Sequence, residues 1–200
     1  KPAVAAAAVA ERLVVSRGTT GQSYPFSLAG PPDPQFAWPF RGAVALLAGN
    51  ARRDRIWAVG GDGQLEYSND EGANWWPLPA VGLCPHVRAL AVGAPDERGV
   101  ERLWAACGKR GLMSSEDLGA SFEPVPGIAD ARAIAASRVT RDRIVVATPR
   151  VLASRDGGRT WVLSGTRAVA VAVDPRNPDL VFAATTDGRL LASLDGGGSF

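Results

Sequence analysis

Apolar residues run through this chain in short stretches of about four to six, each broken by Gly, Pro, Asp or Ser. Stretches of that length, bounded by turn residues, favour many short β-strands over long helices. The same order of stretches returns four times. A strand of small apolar residues comes first, at 43–48, 89–93, 133–136 and 168–173. A second strand follows at 55–59, 103–106, 144–147 and 180–183, then a tight turn and a third strand at 64–67, 111–114, 151–153 and 189–192. The turn in the third copy is two residues shorter than in the others. Each third strand runs into one eight-residue pattern, Ser-x-Asp-x-Gly-x-x-aromatic, and the segment after it, such as 76–78 or 162–164, makes a fourth strand.

The four boxes are Ser68, Asp70, Gly72 and Trp75; Ser115, Asp117, Gly119 and Phe122; Ser154, Asp156, Gly158 and Trp161; and Ser193, Asp195, Gly197 and Phe200. A decayed fifth copy ends at 21–24, closing on Tyr24. The closing aromatics lie 51, 47, 39 and 39 residues apart, the range of a four-stranded repeat. Ser and Asp two residues apart in a hairpin can bond the exposed amides of the turn, and Gly at the fifth position permits positive φ. The aromatic then anchors the hairpin between neighbouring repeats. Each box Asp is expected to be a turn staple; the competing reading is a catalytic or calcium-binding carboxylate.

These boxes, fullest at 154–161, resemble the Asp-box (BNR) repeats of β-propellers. Such repeats occur in sialidases, plant-polysaccharide glycosidases, sortilin-type receptors and propellers that assist photosystem II assembly. The segment 174–179, Asp-Pro-Arg-Asn-Pro-Asp, also resembles an inter-strand turn of the glycosidase and sortilin groups. The resemblance covers residues 41–200 and implies an all-β propeller with four-stranded antiparallel blades. It says less about function, because one fold hosts hydrolases, receptors and assembly factors. Four blades are visible, with a partial first one. Residues 1–24 read as an Ala-rich segment carrying the decayed box, 25–42 as a loop rich in Pro and aromatics, and 43–200 as blades, the last lacking its outer strand. Either 25–29 supplies that strand and closes a four-bladed ring, or the chain is a portion of a larger one; the larger ring is the expectation.

Composition narrows the partners. The 200 residues are 46% hydrophobic and 21% charged, with a formal net charge of +2. That is a globular balance without the excess charge expected of a nucleic-acid binder. The uncharged run 2–10 is about half the length of a bilayer span, so no transmembrane segment is expected. Its end, Ala8-Val9-Ala10, is either the trimmed end of a secretory leader or anchor stem, or an Ala-rich tail or first strand. Two cysteines and the lone His86 offer no metal-ligand spacing, and no cofactor is expected. Cys84 and Cys107 fall at one end of a single blade, where a disulfide forms if the compartment is oxidising; an extracytoplasmic location is expected.

A second periodic feature is independent of the boxes. Arg41, Arg88, Arg132 and Arg167 each stand just before the first strand of a repeat. In a propeller these positions become a partial ring of guanidinium groups on one face, suited to carboxylate, sulfate, phosphate or an acidic protein surface. The plainer reading is four solvated arginines paired with acids such as Asp130. Sialidases also hold a carboxylate with arginines, but they need a Tyr nucleophile, and Tyr24 and Tyr67 both sit in or beside boxes. The Arg-Ile-Pro signature is missing as well, with Phe40-Arg41-Gly42 at most a remnant. A glycosidase needs two facing carboxylates, and no pair stands out. Trp57, Trp104 and Phe182 share one strand position and read as blade core. Trp38 in the Pro-rich loop and Trp76 escape the repeat. The expected function is therefore a noncatalytic interaction or assembly module that holds a partner protein or anionic group through the Arg-rich face; the alternative is a fragment of a sialidase-like or polysaccharide glycoside hydrolase.

Overall fold

A computed structural model of the chain describes residues 5–9, 12–17, 20–25, 36–39, 44–50, 54–70, 72 and 74–200, with side chains from Ala48 onward. All regular structure among them is β-strand. They divide into two units, Lys1–Ala80 and Val81–Phe200.

The first unit holds two four-stranded antiparallel sheets. One runs in the order β1 (Ala5–Val9), β2 (Arg12–Arg17), β3 (Thr20–Pro25) and β4 (Phe36–Pro39). The Ala-rich start of the chain is thus a strand, and the first blade is whole, not partial. The decayed box at 21–24 lies inside β3, where Leu13↔Tyr24 and Gly21↔Trp38 pair on either side. A segment hydrogen-bonded to strands on both edges is extended and cannot also form the box turn. Within the Pro- and aromatic-rich stretch 25–42, Phe36–Pro39 is the outer strand of this sheet; 26–35 and 40–42 lie outside the described residues. The second sheet is β5 (Val44–Gly49), β6 (Ile56–Gly60), β7 (Leu65–Ser68) and β8 (Trp76–Pro77). Trp57 is fully buried in it, its ring 5.2 Å from that of Tyr67.

The second unit holds three sheets, referred to in turn as blades C, D and E. Blade C is β9 (Ala89–Pro95), β10 (Glu101–Ala106), β11 (Leu112–Ser115) and β12 (Glu123–Val125). Blade D is β13 (Ala133–Ala136), β14 (Ile144–Ala147), β15 (Val151–Ser154) and β16 (Val162–Leu163). Blade E has three strands, β17 (Ala168–Val173), β18 (Val181–Thr185) and β19 (Leu190–Ser193). The first strands β9, β13 and β17 are neighbours in succession, so the sheets stack face to face in chain order.

The stacking follows from alternation along β14. Ile144 and Val146 point toward blade C and join Ala91, Trp104, Ala106, Leu112 and Ile134 in one apolar cluster. Val145 and Ala147 point the other way and join Val151, Ala153, Ala168, Val181 and Ala183. All four β14 residues have no exposed surface, which is why the strand reads as an unbroken apolar run. Box aromatics seal both seams: Trp161 packs on the first cluster and Phe200 on the second. Gly158 lies against this packing at φ +86°, and a Cβ there would meet Val125, Trp161 and Trp104 at 3.3–3.5 Å. Phe182, at the position of Trp57 and Trp104, is half-buried where those two are fully buried.

Candidate partner-binding face

Each of the four boxes occupies one end of its own sheet, and their geometry repeats. The Ser Oγ donates to Oδ1 of the box Asp at 2.8, 2.7, 2.8 and 2.6 Å in chain order. The amide of the fifth-position Gly donates to that same Ser Oγ at 2.8–2.9 Å. The seventh residue closes the turn twice, and the octad pattern had left this position open. Asn74, Ser121, Thr160 and Ser199 each give their amide to Asp Oδ1, and each gives a side-chain donor to Oδ2. All four are short polar side chains, and that was the available signal.

Every box carboxylate is thereby occupied on both oxygens. The hydroxyl and amide of Thr160 hold Asp156 down at about 2, and the Ser193 and Ser199 hydroxyls hold Asp195 well below the usual carboxylate range. Because these pKa values lie below that of an unfolded Asp, about 3.9, the boxes stabilise the fold fully above about pH 4. That contribution disappears as pH falls toward about 2. A melting series should therefore stay level from pH 6 to about 5 and drop between about pH 4 and 2. Asp156→Asn should flatten part of that drop.

Four arginines at this box end join adjacent sheets, while Arg98, Arg159 and Arg176 there are exposed. Arg102, in blade C, donates to Gly157 O of blade D at 3.2 Å, pairs with Glu116 and lies 5.2 Å over the Trp104 ring. Arg143 of blade D pairs with Asp179 of blade E at 2.7 Å, and Arg141 of blade D pairs with Asp96 of blade C at 3.3 Å. The Arg155 guanidinium donates to Asp195 O. A hollow of about 370 Å³ beside Arg102 is lined by Ser114, Glu116, Asp117, Ser121 and Glu123. Sequence reasoning missed that Arg102 and Arg143 belong to a row. Leu103 and Ile144 each pair with a box Ser, as do Ile56 and Val181, so Arg55, Arg102 and Arg143 are equivalent, with Leu180 in the fourth place.

The arginines expected to form a ring lie at the opposite end, where the first strands begin. Arg41 lies outside the described residues. The Arg88 amide donates to Ala106 O and the Arg132 amide to Ala147 O, both at 2.8 Å, while Arg167 precedes the Ala168↔Thr185 pair. The Gly108 amide bonds Ala131 O at 2.7 Å and the Val151 amide bonds Thr166 O at 2.9 Å, joining the three sheets along this edge. A Cβ on Gly108, whose φ is +58°, would lie 2.6 Å from Arg88 Nε, so the bare glycine lets Arg88 cross the turn. Turns between second and third strands add Lys109, Arg110, Arg150 and Arg189 to this face, none of which the strand-start pattern includes.

All seven of these cations are exposed, and the same edge carries two acids, Asp130 and Asp187. Asp130 accepts from Arg132 Nε at 3.0 Å and Nη2 at 2.5 Å. Asp187 accepts from Arg189 at 2.8–2.9 Å. The Arg132 hydrogen bonds, reinforced by the charges of Arg132, Arg88 and Lys109, hold Asp130 below the usual carboxylate range. Among the described residues no acid lies within ion-pair reach of Arg88, Lys109, Arg110, Arg150 or Arg167. Cys84 and Cys107 form a disulfide with Cα atoms 6.0 Å apart, tying the segment before Arg88 to the end of β10. Among the described residues no helix is long and apolar enough to cross a membrane, and no His, Cys, Asp and Glu gather to hold a metal ion.

No family model and no curated protein matches this chain. Solved structures do. The GH74 enzyme of Niastella koreensis superposes with a TM-score of 0.73 at 18% identity, covering 98% of this chain and 29% of that one. The GH74 xyloglucanase of Xanthomonas campestris gives 0.69 at 16%, covering 97% and 30%, and an ancestral GH74 enzyme gives 0.61 at 18%, covering 78% and 23%. The chain spans less than a third of the length of each. At these identities the likeness establishes the fold, an all-β arrangement of propeller blades.

Proposed function

We propose that this chain is a noncatalytic β-propeller interaction or assembly module that captures a partner protein or anionic group through the face where Arg88, Arg132 and Arg167 begin the inner strands. The carrying observation is the contrast between the two ends of blades C, D and E. Arg102, Arg141, Arg143 and Arg155 at the box end reach across seams between sheets, beside acids such as Asp96, Glu116 and Asp179, whereas the other end holds seven exposed cations against two acids. Exposed guanidinium groups repeated from blade to blade suit a multivalent anionic surface, since each offers a planar fork of donors. The saturated box carboxylates support a structural role for the boxes. The disulfide supports an extracytoplasmic site of action.

The test is capture on an immobilised polyanion, such as poly-glutamate resin. Arg88→Ala, Arg132→Ala and Arg167→Ala combined should elute at markedly lower salt than the parent chain, because each cation removed lessens the screened attraction. The melting temperature should barely change, as none of the three holds a seam. Elution at unchanged salt would overturn the reading. A second reading, part of a polysaccharide glycoside hydrolase, is favoured by the superposition on GH74 enzymes. Release of reducing sugar from xyloglucan, the polysaccharide named for the Xanthomonas enzyme, would support it instead.

A further inference from the structure

We infer that Asp130 stands in for a partner's carboxylate: the Arg face takes an acidic polypeptide segment, and Asp130 competes with that segment for Arg132. This rests on the reading just given and adds the partner's chemistry. Asp130 precedes Ala131, the residue bridged to Gly108, so it lies where the turn of blade C meets the start of blade D. Its backbone is left-handed at φ +52°, a conformation that only two other non-glycine residues, Ala80 and Leu118, share among those described. Asp and Asn are the side-chain-bearing residues that adopt this conformation most readily, so Asp130 suits this turn.

The contact Asp130 makes with Arg132 is incomplete. Nε and Nη2 both donate to Oδ2, while Oδ1 takes no hydrogen bond among the described residues. A guanidinium fork is best satisfied by two parallel bonds to the two oxygens of one carboxylate. An incoming Asp or Glu side chain can offer that geometry. It can also reach the pair, since the Arg132 side chain is 46% exposed and that of Asp130 29%. The amides of Arg88, Gly108 and Arg132 are already committed to strand and turn bonds, so they cannot form the nest of N–H groups that commonly cradles a phosphate. Cations spaced one or more per blade suit an extended segment with several carboxylates better than a single compact anion.

The experiment uses Asp130→Asn, which keeps the shape and tolerates the left-handed backbone. Binding of a fluorescent deca-glutamate peptide is followed by anisotropy at low salt. Asp130→Asn should tighten binding by about threefold to tenfold, because the competing carboxylate no longer reduces the fraction of free Arg132. The gain should vanish in an Arg132→Ala background. A gain of equal size there would reveal a general charge effect and overturn the stand-in, as would unchanged or weaker binding by Asp130→Asn. Tighter binding of a sulfated oligosaccharide or of inorganic phosphate than of the peptide would overturn the acidic-polypeptide class and leave the anion-binding face standing. If no variant binds any of the three probes, both this inference and the proposed function fail.

Discussion

Replacing Trp104 with alanine is expected to cost about 3–5 kcal/mol of unfolding free energy, the range for removing a large aromatic from a packed core. Trp104 has no exposed surface and fills the seam between blades C and D with Leu112, Ile134, Ile144 and Val146. Its surroundings cannot readily close over the loss. Gly158 and Trp161 are held by their own box, and β14 is buried on both faces. The variant would also remove the ring beneath Arg102. Trp104→Phe should cost much less, because the indole N–H has no hydrogen-bond partner and only ring volume is lost. Denaturant unfolding of both variants checks the pair. A loss under about 1 kcal/mol for Trp104→Ala would show that this seam does not hold the blades together.

The disulfide should have the second-largest effect. Cys84 and Cys107 are 23 residues apart, and closing a loop of that size restricts the unfolded chain by about 3 kcal/mol. The double variant Cys84→Ala and Cys107→Ala should therefore melt several degrees lower, and only the parent chain should respond to reductant. Both sulfurs are in buried residues, so loss of the bond also loosens packing beside Arg88. Retention on the poly-glutamate resin should weaken in the same variant. A melting temperature insensitive to reductant would mean that the link contributes nothing to stability.

Most of the blade architecture was legible in the chain because it is written in short-range terms. Small apolar strands, two-residue alternation and a box with a fixed glycine each identify themselves within about ten residues. The first blade was only partly legible because its box is decayed and an Ala-rich strand such as Ala5–Val9 looks like a tail. The polar seventh position of the box was visible as Asn74, Ser121, Thr160 and Ser199, but its role emerged only when the turn brought it back to the Asp. The two arginine rows show a harder limit. Arg88 and Arg102 each precede an apolar strand, and nothing local separates them. What does separate them is which end of the sheet the next blade's loops reach, and that depends on contacts up to 55 residues apart in sequence.

The opposition between those two ends also sets how a partner would arrive. In blades C, D and E, seven cations against two acids gather on one edge, while the arginines of the other edge sit among acids such as Asp96, Glu116 and Asp179. The unit thus carries a lasting charge moment roughly along its strands. An acidic partner diffusing toward it is turned before contact, so encounters are steered to the edge that can bind. Since the field decays over about 8 Å at physiological ionic strength, added salt should slow association more than it shortens the life of a formed complex.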